Sequence, residues 1–158
     1  MYKWILYITI LGFAVYWASN LLLWFPWSYS TTLGMTLMLT MAPVLWAYVI
    51  LLGLRSYPKM ELLKGALIVA IIFLLLAVVM DYIFFGLIRN AMDELYHPTT
   101  LYGYGFLAAF PFILAILFKR KILGRKKMVT NSDILKAGIS GLFCIGILTL
   151  IIILGIGI

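Results

Sequence analysis

The sequence predicts an all-α integral membrane protein, a bundle of five transmembrane helices that forms one domain over residues 1–158. The chain is 66% hydrophobic and only 11% charged, and its mean hydropathy is +1.16. A soluble domain carries about 25% charged residues, so too little polar surface remains to coat a water-soluble globule. Apolar runs of about 20 residues recur, each long enough to cross a bilayer. They are continuous rather than alternating, which favours helices over a membrane β-barrel.

Turn-forming proline, serine, threonine, asparagine and glycine separate the apolar runs. The spans are predicted near residues 4–24, 32–54, 63–88, 101–118 and 137–158. The fourth run is the shortest, so a bundle of four spans stays open as an alternative. The first run ends in bulky aromatic side chains rather than at a small-residue cleavage site, and we expect a retained helix there. The stretch from Thr130 to Asp133 is typical of a helix start.

Lysine and arginine are distributed unevenly between the two sides of this predicted bundle. Eleven of the twelve basic residues fall at the N-terminus or in the loops 55–64 and 119–136, and only Arg89 falls on the other side. Cytoplasmic loops of membrane proteins carry the excess of Lys and Arg. The sequence therefore predicts a multi-pass cell-membrane protein with a cytoplasmic N-terminus and its C-terminus outside.

Asp81 is an acid inside an otherwise apolar run. A lone charge near the bilayer centre costs about 2.5–3.5 kcal/mol on insertion scales, and intramembrane acids mark functional sites by default. The predicted chain directions place polar side chains of four helices in the same outer layer as this acid. The candidate ligand-binding set is Asp81, Asn20, Thr36, Thr40, Tyr82, Tyr102 and Tyr104. The alternative is that these groups form only interhelical hydrogen bonds, worth about 0.6 kcal/mol each.

A polar cluster lies in the loop between spans three and four and consists of Arg89, Asp93, Glu94 and His97. If the helix continues past Ile88, Arg89 and Asp93 pair at i,i+4. Glu94 and His97 have the spacing used in carboxylate-bridged di-metal sites, but those sites need a second such pair. His97 is the only histidine, so we expect no metal and no other cofactor.

A basic cluster in the loop between spans four and five is predicted to bind anionic lipid head groups at the cytoplasmic face. It consists of Lys119, Arg120, Lys121, Arg125, Lys126 and Lys127. Holding the topology is a sufficient alternative role. The net charge of +7 lies in loops whose basic character is already explained by the predicted membrane orientation, so no nucleic-acid partner is expected. Small residues at helix-packing spacing, such as Ala137 and Gly141, serve packing within the bundle, a homo-oligomer or a larger membrane complex.

The chain has five acidic residues and one histidine that could act as catalytic groups, and no catalytic residue is assigned. Motifs for nucleotide, haem, flavin or protease chemistry are absent from the sequence, and the single cysteine, Cys144, excludes an internal disulfide. The leading hypothesis is a binding or transport-like module with an outward-facing pocket floored by Asp81, for a small lipophilic or cationic ligand or a lipid. The alternatives are an accessory subunit of a larger membrane complex and a lipid-acting enzyme that uses Glu94 and His97.

Overall fold

Five helices of the computed structural model are long and apolar enough to cross a membrane: α1 (Tyr2–Tyr29), α2 (Thr31–Arg55), α3 (Leu62–Ile88), α4 (Pro98–Leu117) and α5 (Asn131–Ile153). The structure describes residues 1–155, apart from the side chain of Glu94. It is all-helical, with 86% of residues in helices and no strand in the described part. A 3₁₀ helix, Met92–Tyr96, precedes α4, and a short linker helix, Lys119–Leu123, follows it. The predicted all-α class is confirmed, and so is the prediction of five helices long and apolar enough to span a membrane.

Two helices begin earlier than hydropathy predicts, because polar caps extend them. Before α5, Thr130 Oγ1 accepts a hydrogen bond from the Asp133 N–H at 3.2 Å, and Asp133 Oδ2 accepts from the Thr130 N–H at 3.0 Å. This reciprocal capping box satisfies two free N–H groups, and it confirms the helix start predicted there. Before α4, the Thr99 N–H donates to His97 Nδ1 at 3.4 Å, and Pro98 suits the first helical turn. Residues 156–158 of the predicted fifth span lie outside the described residues.

The end of α1 contains a change of hydrogen-bond register. The stretch Asn20–Trp24 is π-helical, and the Phe25 N–H donates to the Asn20 carbonyl, five residues back. Pro26 follows directly and has no N–H to give to the carbonyl four residues before it. A wider turn next to the proline lets the helix run on to Tyr29 instead of breaking at the expected turn.

The end of α3 changes register in the same way. Its last stretch, Tyr82–Ile88, is π-helical, and two residues later Asn90 takes a left-handed φ of 51°. Asparagine tolerates this conformation, which ends helices. Both π-helical stretches lie at one end of the bundle, called here the aromatic end. The N-terminus and the loops after α2 and α4 lie at the other, called the basic end.

α1 is the central helix, in contact with α2, α3 and α5, while α4 packs on α3 and α2. Near the basic end, Trp4 donates from Nε1 to the Gly53 carbonyl at 2.9 Å, and its ring centre lies 4.8 Å from that of Tyr57. Ile8 and Ile50 are fully buried in the same core. Large apolar side chains also cover the outside of the bundle, among them Leu39, Leu75 and Phe143.

α1 and α5 meet at small residues. A Cβ added at Gly141 would lie 3.0 Å from the Phe13 ring and 3.1 Å from the backbone of Ala14. Ala137, one turn earlier on α5, is buried as well. Small residues therefore let these two backbones approach closely. On α4, by contrast, a Cβ at Gly105 would meet no described atom within 4 Å.

We expect Gly141→Leu to push α5 away from α1, because the new side chain meets backbone atoms of α1. Over-packing of this kind costs about 1–3 kcal/mol, which thermal unfolding of the detergent-solubilised protein records as a lower midpoint. Gly146→Leu is the matched control, since a Cβ there, on the same helix, meets no described atom within 4 Å. Equal midpoints for the two variants would contradict the packing described for α1 and α5.

Candidate functional site

Asp81 lies inside the bundle, only 8% exposed, at the point where α3 turns π-helical. Tyr16 of α1 donates its hydroxyl to Asp81 Oδ1 at 2.7 Å, and Tyr104 of α4 donates to Oδ2 at 2.8 Å. Hydrogen bonds to a charged group contribute about 1.5–3 kcal/mol each, and they offset the cost of taking the carboxylate out of water. One side chain thus joins three helices.

The position of the Tyr16 hydroxyl is fixed by its neighbours on α1. The residue is 5% exposed, and its ring packs edge-on against Trp17 with ring centres 5.3 Å apart. Asn20 Nδ2, one turn along, donates to the Tyr16 carbonyl at 3.1 Å. The phenol therefore has little freedom to turn away from Asp81.

Asp81 forms part of the wall of a cavity of about 660 Å³ between α1, α2, α3 and α4. Most of the lining is aromatic or aliphatic. The aromatic residues of the wall are Tyr16, Trp24, Trp27, Trp46, Phe85, Tyr102, Tyr104 and Phe106. A largely apolar cavity with a few convergent polar groups is the usual form of a small-molecule site.

Two polar groups of the cavity wall have unused hydrogen-bonding capacity. Ser19 is 8% exposed, and its Oγ has no hydrogen-bond partner within the described part of the chain. On α2, Pro43 has no N–H, so the carbonyl of Leu39 lacks its usual intrahelical donor. Both α2 residues also line the cavity. Buried polar groups normally find partners, so the Ser19 hydroxyl and the Leu39 carbonyl are the exceptions in this wall.

Arg89 lines the same cavity at the aromatic end. Its guanidinium carbon lies 5.0 Å from the ring centre of Trp24 and 5.5 Å from that of Phe85. Contacts of this kind are worth about 0.5–1 kcal/mol at exposed sites. The side chain therefore rests on aromatic faces, and no ion pair between it and Asp81 occurs among the described side chains.

Arg89 and Asp93 would pair at i,i+4 only if α3 continued past Ile88 as a helix, and this condition is not met. The helix ends at Ile88, and the left-handed Asn90 turns the chain away before the 3₁₀ helix begins. The i,i+4 geometry on which the pair depends is therefore absent.

His97 serves as the cap of α4. Its Nδ1 lies 2.7 Å from Thr99 Oγ1, and the ring lines the cavity near its mouth. The side chain of Glu94 lies outside the described residues, so an enzymatic role for the Glu94 and His97 pair stays a prediction. Among the side chains that are described, no three His, Cys, Asp or Glu residues group closely enough to hold a metal ion.

Four of the seven residues predicted to bind ligand line the cavity, and three do not. The four are Asn20, Asp81, Tyr102 and Tyr104. The hydroxyls of Thr36 and Thr40 donate to carbonyls one turn earlier on α2, at 2.8 and 2.7 Å. Both threonines are exposed, as is Tyr82 at 50%. Successive helical side chains point about 100° apart, so sharing a depth with Asp81 does not bring these three groups to its face.

Tyr16 is the cavity residue that the sequence does not single out, whereas Ser19 adjoins Asn20 near the outer end of the first predicted span. Tyr16 stands three positions before Ser19 and four before Asn20, so it shares a face of α1 with both. This one-turn spacing from Asn20 is the pattern in the sequence that points to Tyr16. Trp24, Trp27 and Trp46 lie in or directly beside the apolar runs, and nothing in the sequence marks them as residues of a cavity wall.

The cations predicted to bind anionic lipid lie at the basic end. Lys126 Nζ donates to the carbonyl of Tyr57 at 3.0 Å and to that of Lys59. These bonds dock the loop after α4 onto the loop after α2. The remaining cations of the cluster are exposed: Lys119, Arg120, Lys121, Arg125 and Lys127.

Two cations at the basic end have acidic partners. Lys64 pairs with Glu61, and its hydrogen bond lowers the pKa of the Glu61 carboxyl. Lys127 pairs with Asp133 at 2.7 Å. The described side chains form no further ion pair there, so this end carries a large excess of positive charge.

Comparisons of the chain with protein-family models, with curated protein sequences and with solved structures find no match.

Tyr16→Phe removes one hydrogen bond to Asp81 and leaves the ring in place. We expect the free energy of unfolding to fall by about 1.5–3 kcal/mol, measured by denaturant unfolding in detergent micelles. Tyr82→Phe is the matched control, because Tyr82 adjoins Asp81 in sequence and is half exposed. In an Asp81→Leu background the Tyr16→Phe change should cost much less. Equal costs in both backgrounds would mean that Tyr16 acts through packing alone.

Proposed function

We propose that the protein is a multi-pass membrane protein that binds a small lipophilic organic cation in the cavity around Asp81, as a binding or transport-like module. The observation that carries this proposal is a single buried carboxylate surrounded by aromatic rings. Aromatic faces and a carboxylate both attract organic cations. A hydrated metal ion would instead need several oxygen ligands, and Asp81 is the one acidic residue of the described cavity lining.

The proposed bilayer location rests on the five long apolar helices and on the large apolar side chains that cover their outer faces. Monomeric soluble proteins rarely expose such extended apolar surface. The excess of Lys and Arg at the basic end favours a cytoplasmic position for that end. The cavity then opens on the outer side, where Trp24 and Trp27 suit the membrane interface.

The cavity also limits the size and polarity of the ligand. Its volume of about 660 Å³ lies within the range of small-molecule sites, about 300–1,000 Å³. The positive charge of the ligand is expected beside Asp81, and its apolar or anionic part toward Arg89, since like charges repel.

A second candidate function is that of an accessory subunit in a larger membrane complex. One observation favours it: an added Cβ atom at Gly105 of α4 would meet no described atom within 4 Å, and Ala109, one turn along the same helix, is exposed as well. Exposed small residues permit close contact with a partner helix. Purification in mild detergent followed by mass spectrometry discriminates the two, since a stoichiometric partner favours the subunit and a clean monomer opposes it.

We expect the purified protein to bind benzyltrimethylammonium more tightly than neopentylbenzene, its neutral isostere. Asp81→Asn should weaken binding of the cation at least about tenfold and leave binding of the isostere nearly unchanged, because only the charge is lost. Quenching of the cavity tryptophans Trp24, Trp27 and Trp46 reports binding of either probe. Uptake of the labelled cation into proteoliposomes then separates transport from binding alone.

Asp93→Asn is the matched control for this experiment. It removes the same charge from an exposed acid of the 3₁₀ helix that does not line the cavity. An equal loss of cation binding in both variants would reduce the effect to general surface charge. Equal affinities of the native protein for both probes would remove Asp81 from ligand recognition.

A further inference from the structure

A second cavity, of about 530 Å³, opens at the basic end between α1, α2 and α5. Four cations line it: Arg55, Arg125, Lys127 and Lys136. Asp133 is the one acidic residue of its described lining, and Lys127 already pairs with it at 2.7 Å. The remaining three cations have no acidic partner among the described side chains, so this end of the cavity attracts an anion.

The rest of the cavity is an apolar groove along α1. Its α1 lining runs from Tyr7 through Leu11 and Val15 to Ala18, at the three- and four-residue spacing of one helix face. These eleven steps span about 16 Å at 1.5 Å per residue. Half of a hydrocarbon core about 30 Å thick is about 15 Å. The groove therefore has the length of one leaflet of a bilayer.

The opposite wall, on α5, has the same polarity gradient. It runs from Lys136 at the basic end to Cys144 in the middle of the helix. Charged groups thus meet at one end of the groove, and small or apolar groups continue from it toward the centre of the bundle. This is the polarity of a single phospholipid, with a charged head and a hydrocarbon tail.

Arg55 lies at the charged end of the groove. Its backbone is held by α2 and by the Lys127 N–H, which donates to the Arg55 carbonyl at 3.1 Å. Phosphate oxygens bind guanidinium groups strongly.

We propose that this groove binds one anionic phospholipid from the leaflet at the basic end. Its phosphate contacts Arg55, Arg125 and Lys136, and one acyl chain lies along the α1 stripe between α2 and α5. A free phosphate ion would use the charged end only and leave the apolar groove unfilled. The proposal concerns a different cavity from the one around Asp81 and does not depend on the ligand assigned there.

The test measures lipid binding to the full chain in detergent by native mass spectrometry, with phosphatidylglycerol and phosphatidylcholine of identical acyl chains. We expect the anionic lipid to bind more tightly, and Arg55→Gln/Lys136→Gln to weaken it at least about tenfold with little effect on phosphatidylcholine. Lys3→Gln/Lys59→Gln is the matched control, because it removes two exposed charges of the same end that do not line the groove.

Equal weakening by both double variants would overturn the proposal, since the attraction would then be diffuse surface charge. Displacement of the lipid by inorganic phosphate, at an ionic strength matched with chloride, would overturn it as well, because the site would then be one for free anions. If the groove double variant does not fold, the single charge reversals Lys136→Glu and Lys3→Glu give the same comparison at exposed positions. Retention of native lipid binding by Lys136→Glu would be decisive against the groove.

Discussion

A carboxylate inside a bundle of apolar helices has to accept hydrogen bonds, and the arrangement at the aromatic end depends on that requirement. Tyr16 and Tyr104 supply the two donors to Asp81, so α1 and α4 are tied to α3 at one depth and one rotation. Close packing makes this reach feasible: a Cβ at Gly12, one turn before Tyr16, would lie 2.9 Å from the Phe73 ring of α3. A slip of one helix by a turn would leave the acid without a donor, at a cost of several kcal/mol.

The two π-helical stretches give the aromatic end its second constraint. Phe84, fully buried, packs edge-on against Trp17 and Trp24 with ring centres 5.9 and 5.2 Å apart. These contacts join the wide turn of α1 to that of α3. A π-helical turn adds one residue to the ladder and rotates the side chains that follow it. Trp24 and Phe85 thereby come to face the guanidinium of Arg89 rather than lipid.

Hydropathy predicts the spans of this protein well because each spanning helix satisfies its own backbone and needs no information from its neighbours. The importance of Asp81 is predictable for a similar reason, since the cost of a buried charge is local to the residue. The capping box at Thr130 and Asp133 is also a local pattern. Each of these features depends on a short stretch of sequence and can be predicted from that stretch alone.

The partners of Asp81 could not be predicted in the same way, because they depend on how each helix is rotated about its axis. Thr36 and Thr40 were assigned to the site by depth alone, and their hydroxyls instead bond to carbonyls of their own helix. Tyr16 is not in the predicted ligand-binding set, although it lies one turn from Asn20. Rotation follows from packing between helices, and here small residues at Gly12 and Gly141 set which faces touch. The π-helical stretches next to Pro26 and before Asn90 rotate the lining residues further about the helix axes.

The rotation of α1 links the two cavities. The α1 residues that line the groove run from Tyr7 to Ala18, and those that line the cavity around Asp81 run from Tyr16 to Leu23. At about 100° per residue, the two sets lie on faces of α1 about 150° apart. α1 is therefore the common wall of an acidic cavity at one end and a basic groove at the other. The Tyr16–Asp81 hydrogen bond and the close packing at Gly12 and Gly141 together fix how α1 is turned, and they hold the apolar stripe toward α2 and α5. The proposed ligand site and the proposed lipid groove thus depend on one orientation of α1.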